Sequence, residues 1–217
     1  MGKSEATKQA ITDIALRSFA DRGYDATTIR LIAAEAGISV GNAYYYFPTK
    51  NHMVQELYVR VQQRHRELAE GRMRGVTDLA ERLEIVLLAG LEALAPYHET
   101  APGFLGAAIS PVSPVNPLSS ESGAARDIVV GLFSDLVTGS TTSIPPFLRE
   151  RLPELLWLAY LGLALFWVYD ASPGQVKTRR LVSRSVALFG TLLPLSRLPF
   201  LRGPLTEALD IVREARA

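Results

Sequence analysis

The sequence predicts an all-α chain: a small N-terminal three-helix head followed by a larger helical body. Three observations carry that prediction. Apolar residues recur at helical spacing along nearly the whole length, no stretch alternates as a strand does, and Gly23, Gly37, Pro48 and Ser172-Pro173-Gly174 mark breaks between periodic segments. At 217 residues, 48% apolar and 21% charged, the chain is long enough to bury a substantial core.

The elements follow in order. Ile11, Ile14, Ala15, Ser18 and Phe19 mark a first helix over about 4–21, ended by Gly23. Thr28 is placed to cap a short helix running to Glu35, with Ile29, Ile32, Ala33 and Ala36 as its buried stripe. Gly37 stops it in the left-handed conformation that glycine adopts cheaply. Ser39 caps a third short helix ending near Phe47, and Pro48-Thr49 separates it from a long helix to about Arg72 carrying Met53, Val54, Leu57, Tyr58 and Val61. The division is expected at residue 50, giving a head of 1–50 and a body of 51–217. In the body, Thr77 is expected to cap a helix over 78–94. Five prolines punctuate 96–117, with one short helix near 104–109. Further helices are expected over 122–137, 153–170, 175–193 and 205–215, with 138–146 a loop and Ser172-Pro173-Gly174 a turn.

Composition excludes several chemistries. There is no cysteine, so neither a disulfide framework nor a thiolate metal site is available. The histidines are only His52, His65 and His98, widely spaced, so no metal and no cofactor is expected. No Gly-x-Ser-x-Gly, no phosphate-binding Gly loop and no His-Glu metal pair is present, and an enzyme is not expected. The run LLWLAYLGLALFWVY, residues 155–169, lacks charge but falls short of the roughly 20 residues of a membrane span. It is read as a buried helix, and no membrane partner is expected. MGKSEATKQA has no apolar signal core, and Ala6 stands where a myristoylation signal carries Ser or Thr, so the expected compartment is the cytoplasm.

The head holds the most informative stretch, GISVGNAYYYFPTK at residues 37–50. Two short helices separated by EAGIS have the length and central glycine of a helix-turn-helix, whose second helix enters the DNA major groove. On that helix Val40, Ala43 and Phe47 can face inward, with Ile38 at the turn. Ser39, Gly41, Asn42, Tyr45 and Tyr46 then face outward, with Tyr44 at the boundary. Gly41 would let a phosphate approach the backbone, and Asn42 can read a base edge. The tyrosine hydroxyls can donate to phosphate, and Lys50 can pair with one. Packing alone is the plainer explanation for a Tyr-rich turn, but three consecutive tyrosines fan over roughly 200° and cannot share one core. Residues 1–75 hold eleven Lys and Arg against eight Asp and Glu, a net of +3, which supports nucleic acid only modestly.

TTIRLIAAEAGISVGNAYYYFPTKNHMVQELY, residues 27–58, with AITDIALRSFADRGYDATT before it, resembles the DNA-binding head of the TetR family of transcriptional regulators. By position, the resemblance implies that Thr28, Ser39, Gly41, Asn42, Tyr44, Tyr45, Tyr46 and Lys50 face double-stranded DNA. Val40 stands where many relatives are polar or basic, Tyr46 replaces a common histidine, and Leu31 a common acidic cap partner. Repression is what the resemblance implies as outcome.

A helix-turn-helix reads few base pairs, so a homodimer on a palindromic operator is expected. Its surface is sought on the helices flanking Ser172-Pro173-Gly174, through Leu161, Gly162 and Leu165 on the first and Leu181, Ser185, Leu188 and Phe189 on the second. Tyr97, Phe104, Phe133, Trp157 and Tyr160 form an aromatic surplus. They are core residues or, as the resemblance implies, the lining of a site for an apolar small molecule. A helical carrier of hydrophobes is the competing reading, but it has no use for an exposed Asn-x-Tyr-Tyr-Tyr helix.

Overall fold

The computed structural model describes residues 3–214, and every one of their regular elements is helical. The chain forms two compact units: residues up to Arg64 with Ala93–Ile128, and His65–Glu92 with the residues from Val129 onward. The expected division at residue 50 therefore falls inside the first unit. The reason is packing: α6 (Pro102–Ile109) lies on α1 (Lys3–Arg22), so a segment distant in sequence completes the head. Gly103 permits that contact, since a Cβ there would sit 2.4 Å from the Phe19 carbonyl oxygen.

In the first unit, α1, α2 (Ile29–Glu35), α3 (Val40–Tyr46) and the opening turns of α4 (Lys50–Met73) enclose Ile11, Phe19, Ile32, Ala43, Phe47, Met53 and Leu57. Full burial of each larger side chain stabilises the fold by about 1.5–3 kcal/mol. Thr28 and Ser39 are the N-caps foreseen, accepting from the amides of Leu31 and Asn42. Gly37, at φ 66°, closes α2 with paired bonds from Gly37 N–H to Ala34 and from Ile38 N–H to Ala33. Ala36 is half-buried rather than part of the buried stripe.

The second unit holds the rest of α4, most of α5 (Leu79–Leu94), the end of α7 (Gly123–Thr138), α8 (Pro146–Arg149), α9 (Leu152–Tyr169), α10 (Val176–Leu192) and α11 (Pro199–Glu214). Asp78, not Thr77, caps α5, its carboxylate accepting from Glu81 N–H at 2.9 Å. α8 begins at Pro146, where the expected loop of 138–146 ends, and its four residues are too few to show a period. α11 starts at Pro199, six residues before its expected start, because proline suits a first turn, and Pro204 is accommodated inside the helix. Asp170 joins α9 to α10: it accepts from the Thr178 amide at 2.8 Å and hydroxyl at 2.7 Å, and from Ser172. Burial disfavours its charge, but these hydrogen bonds prevail and hold its carboxyl well below the usual range.

Two buried polar residues fasten this unit. The Arg82 guanidinium donates to the carbonyls of Leu136 and Asp135, each at 2.9 Å, and Val76 at 2.8 Å, tying α5 to the end of α7. His65 is fully buried, with Nε2 donating to the Val86 carbonyl at 2.8 Å, and burial pushes its pKa down to about 4. α9 is long and apolar enough to cross a membrane by length and composition. It buries Leu156, Trp157, Tyr160, Leu163 and Trp167 within the unit, while Leu165, Phe166 and Tyr169 lie exposed.

Candidate nucleic-acid interface

α3 is seven residues long and buries only Ala43 within its span, with Phe47 just past its end. Those two anchors fix the helix on the head and leave its other faces to solvent. Ser39, Gly41, Asn42, Tyr44 and Tyr45 are all exposed, Tyr45 at 81%. The Tyr45 ring contributes little to the core of the head. At Gly41 a Cβ would meet nothing within 4 Å, and its φ is not positive. Neither space nor backbone conformation inside the chain requires glycine there.

The hydroxyls retain function beyond capping. Ser39 Oγ accepts from Asn42 N–H at 3.1 Å, and Thr28 Oγ1 accepts from Leu31 N–H at 3.3 Å. Each hydroxyl, accepting in the cap, keeps its proton, which can be donated to a phosphate oxygen. Asn42 spends its backbone amide on the cap and keeps its side-chain amide, whose donor and acceptor match an adenine edge.

Three expectations need correction. Val40, expected inward, is 38% exposed, because it opens α3 where no preceding turn covers it. Tyr44 and Tyr46 exchange roles: Tyr44 is 47% exposed, whereas Tyr46 is half-buried with its ring edge-on to Tyr45 at 5.3 Å. Lys50, expected on a phosphate, turns into the protein. Its Nζ donates to the carbonyls of Tyr24 at 2.6 Å and of Asp25 and Thr27 at 3.4 Å, and lies 4.1 Å from the Tyr24 ring centre. An ammonium has three donors, and three carbonyls take them. Burial lowers the Lys50 pKa and raises that of Tyr24 to about 12.

The α1–α2 loop that Lys50 grips is itself fixed. Thr27 Oγ1 bonds the Ser18 and Gly23 carbonyls at 3.1 and 2.9 Å, and the Tyr24 hydroxyl donates to Asn51 Oδ1. Arg22 pairs with Glu35 at 2.6 Å, and Ser18 bonds the same carboxylate. Thr28 is thereby held at the start of α2 by contacts from α1 and α4. α3 carries no charged side chain of its own, and Arg30, exposed on α2, is a nearby cation that the sequence reading passed over. Its place two residues after the Thr28 cap was the available signal.

In the body, Leu165 (42%), Leu181 (38%) and Leu188 (58%) are exposed, with Gly162 and Ser185, whereas Leu161 and Phe189 are half-buried. A Cβ at Gly162 would meet nothing within 4 Å. The five aromatic candidates divide. Phe133, Trp157 and Tyr160 are buried in the second unit, with the Phe133 and Tyr160 rings 6.2 Å apart. Phe104, buried on α6, and Tyr97, half-buried, belong to the first. A cleft of about 560 Å³ lies elsewhere, beside Pro146 and Arg197, and none of the five lines it.

Comparison with known proteins agrees with this geometry. Residues 11–57 match the family described as bacterial regulatory proteins, tetR family, and residues 82–214 match the tetracyclin repressor-like C-terminal domain. The HTH-type transcriptional repressor KstR2 of Mycobacterium tuberculosis (strain ATCC 25618 / H37Rv) is 32% identical over 101 residues, 45% of this chain and 48% of the relative. KstR2 of Rhodococcus jostii (strain RHA1) is 46% identical over 56 residues, 26% of this chain and 27% of the relative. The matched stretch thus spans about half the length of these relatives or less. Among solved structures, a TetR-family regulator from Syntrophomonas wolfei superposes with TM-score 0.66 at 18% identity, covering 91% of this chain and 99% of the other. The regulator FadR from Bacillus subtilis, in complex with stearoyl-CoA, gives 0.60 at 18% identity, covering 82% and 96%.

Proposed function

The chain belongs to the TetR family of DNA-binding transcriptional regulators, and on that premise we propose that it is a cytoplasmic repressor acting as a homodimer on a palindromic operator. The observation that carries the DNA reading is α3 itself: two buried anchors, and beside them an exposed, uncharged polar and aromatic set of Ser39, Gly41, Asn42, Tyr44 and Tyr45. In this reading Asn42 reads a base edge in the major groove. Tyr45, Tyr44, Ser39 and Thr28 hold phosphates, the Gly41 backbone lets one approach closely, and Tyr46 supports Tyr45.

A two-fold dimer supplies the second half-site. The exposed apolar faces of α9 and α10, through Leu165, Leu181 and Leu188 with Gly162 and Ser185, support it, since an apolar face of this extent is seldom left to solvent. We place an apolar small molecule in the body against Phe133, Trp157 and Tyr160; the structural neighbour FadR was solved with stearoyl-CoA, whose acyl chain is apolar. Such a ligand releases DNA only if it prefers the arrangement whose two α3 helices mismatch the operator. A hundredfold loss of operator affinity requires a preference of about 2.7 kcal/mol. α4, which begins in the head and ends in the second unit, is the lever this reading uses.

Selection of bound duplexes from a random library by gel shift tests the DNA reading and yields the operator. Asn42→Ala should alter preference at one position per half-site by about 1–3 kcal/mol. Tyr45→Phe should weaken binding with the preference kept. Parent-like affinity and preference in the Asn42→Ala/Tyr45→Phe double variant would refute the assignment.

A further inference from the structure

The cleft of about 560 Å³ in the second unit lies apart from every residue invoked so far. Its walls are the start of α8, the 3₁₀ turn Leu193–Arg197 and the first turn of α11. Pro145, Pro146, Phe147 and Leu198 make it largely apolar, and Arg197 and Arg202 are the charged residues of its lining. We propose that this cleft binds an anionic amphiphile, with its acid head on Arg197 and Arg202 and a short apolar body against Pro146, Phe147 and Leu198.

Charge is the first argument. Arg197 is held by one bond from Nη2 to the Ser143 carbonyl at 2.7 Å, a contact that supplies no counter-charge. Arg202 lies with its guanidinium carbon 6.0 Å from the Phe147 ring centre, again without neutralisation. Among the described residues no carboxylate comes within ion-pair distance of either. The nearby Arg151, by contrast, reaches Asp210 at 3.9 Å. Two like charges facing one cleft with no acid between them repel, and an anion bound there removes the repulsion.

The backbone adds to that field. α11 is sixteen residues long and opens at Pro199, and its first turn lines the cleft through Pro199 and Arg202. The residue before it, Leu198, has no side-chain acceptor to cap the first amides. Pro199 has no amide proton and the Leu201 N–H bonds the Leu198 carbonyl at 3.0 Å, so the helix end contributes its dipole rather than a set of free amides. Size argues against a bare inorganic ion as the natural occupant. The cleft falls within the range of about 300–1,000 Å³ typical of small-molecule sites, and its proline and phenylalanine walls offer an acid head nothing. An apolar body of several carbons uses them.

The test is thermal unfolding of the full chain at constant ionic strength with four probes: octyl phosphate, octanoate, octanol and inorganic phosphate. Octyl phosphate, octanoate or both should raise Tm by about 3–6 °C at ten times Kd, with octanol and inorganic phosphate well below them. A response to octyl phosphate alone makes the head a phosphate, and a response to both makes it any acid; either supports the site. The Arg197→Gln/Arg202→Gln variant should lose the shift. Arg179→Gln/Arg184→Gln, which removes the same charge from exposed positions of α10, should keep it. Arg202→Gln alone, which gives up only the ring contact, decides the matter if the double variant fails to fold. Equal shifts with octanol or with inorganic phosphate, or shifts that survive loss of Arg202, would overturn the proposal. No DNA enters the measurement, so its outcome is separate from that of the operator reading.

Discussion

Replacing Lys50 with methionine separates two roles that the residue type allows. The stem is kept and only the ammonium is lost. If Lys50 held a phosphate, each copy would forfeit one counter-ion release, and the slope of log affinity against log salt for a dimer would flatten by about 1.8. The structure directs the ammonium to the carbonyls of Tyr24, Asp25 and Thr27 and to the Tyr24 ring instead. Only the first contact is short, and the side chain is half-buried, so the whole cluster is worth about 1.5–3 kcal/mol, one charge-assisted hydrogen bond with minor additions. For a chain of this length that is a fall in Tm of about 3–12 °C. Operator affinity should drop as well, because the loop that positions Thr28 loses its clamp, but the salt slope should stay that of the parent. The assay is fluorescence anisotropy on the selected operator over a salt series, paired with thermal melts of the free protein. A flattened slope with an unchanged Tm would refute the clamp.

Two more outcomes follow from the body. His65 is neutral in the fold, with a pKa pushed down to about 4 from 6.5, so acidification protonates the unfolded chain first and stability falls as pH drops through that window. Between about pH 7.5 and pH 5 the loss should be about 2 kcal/mol, or about 4–8 °C in Tm. His65→Gln, which can still donate to Val86, should flatten the profile, and identical profiles for both proteins would remove His65 as the cause. Leu188→Arg places a charge on the exposed stripe of α10 and should weaken self-association by about 3 kcal/mol or more, at least a hundredfold. Sedimentation reads this directly, and a parent that is monomeric while binding its operator as one copy would contradict the dimer.

The head was legible wherever its physics is local. Thr28 and Ser39 cap because a hydroxyl three residues before an orphan amide has little choice, and Gly37 closes α2 because a left-handed residue is needed within that one turn. Lys50 was not legible for the converse reason. Its three acceptors belong to residues 23–26 positions earlier, and they converge only after α1 and α4 have packed. Val40 and Tyr46 depend on cover from outside their own helix. Periodicity assigned Val40 to the buried side, yet a side chain at the opening turn of α3 lacks the turn that would have hidden it.

The body shows where a pattern of residue types stops carrying information. Aromatics summed along the chain suggest one site, but folding sends Tyr97 and Phe104 to one unit and Phe133, Trp157 and Tyr160 to the other. The cleft of about 560 Å³ is built instead from prolines and arginines near residues 145–147 and 196–202, a set with no periodic or motif signature. Arg82 is similar: an arginine on an amphipathic helix reads as solvated until Leu136, Asp135 and Val76 present carbonyls to it. The α9 stripe is the intermediate case. Its hydrophobicity was visible at once, but a helix apolar on all sides is compatible with a core, a membrane or a partner. Burial of Trp157, Tyr160 and Trp167 on one side, with Leu165 and Phe166 each 42% exposed on the other, assigns one face to the chain's own core and leaves the second for another surface to cover. A second copy meets that requirement without any new residue, because the same face of the same helix is available on both sides of a two-fold axis.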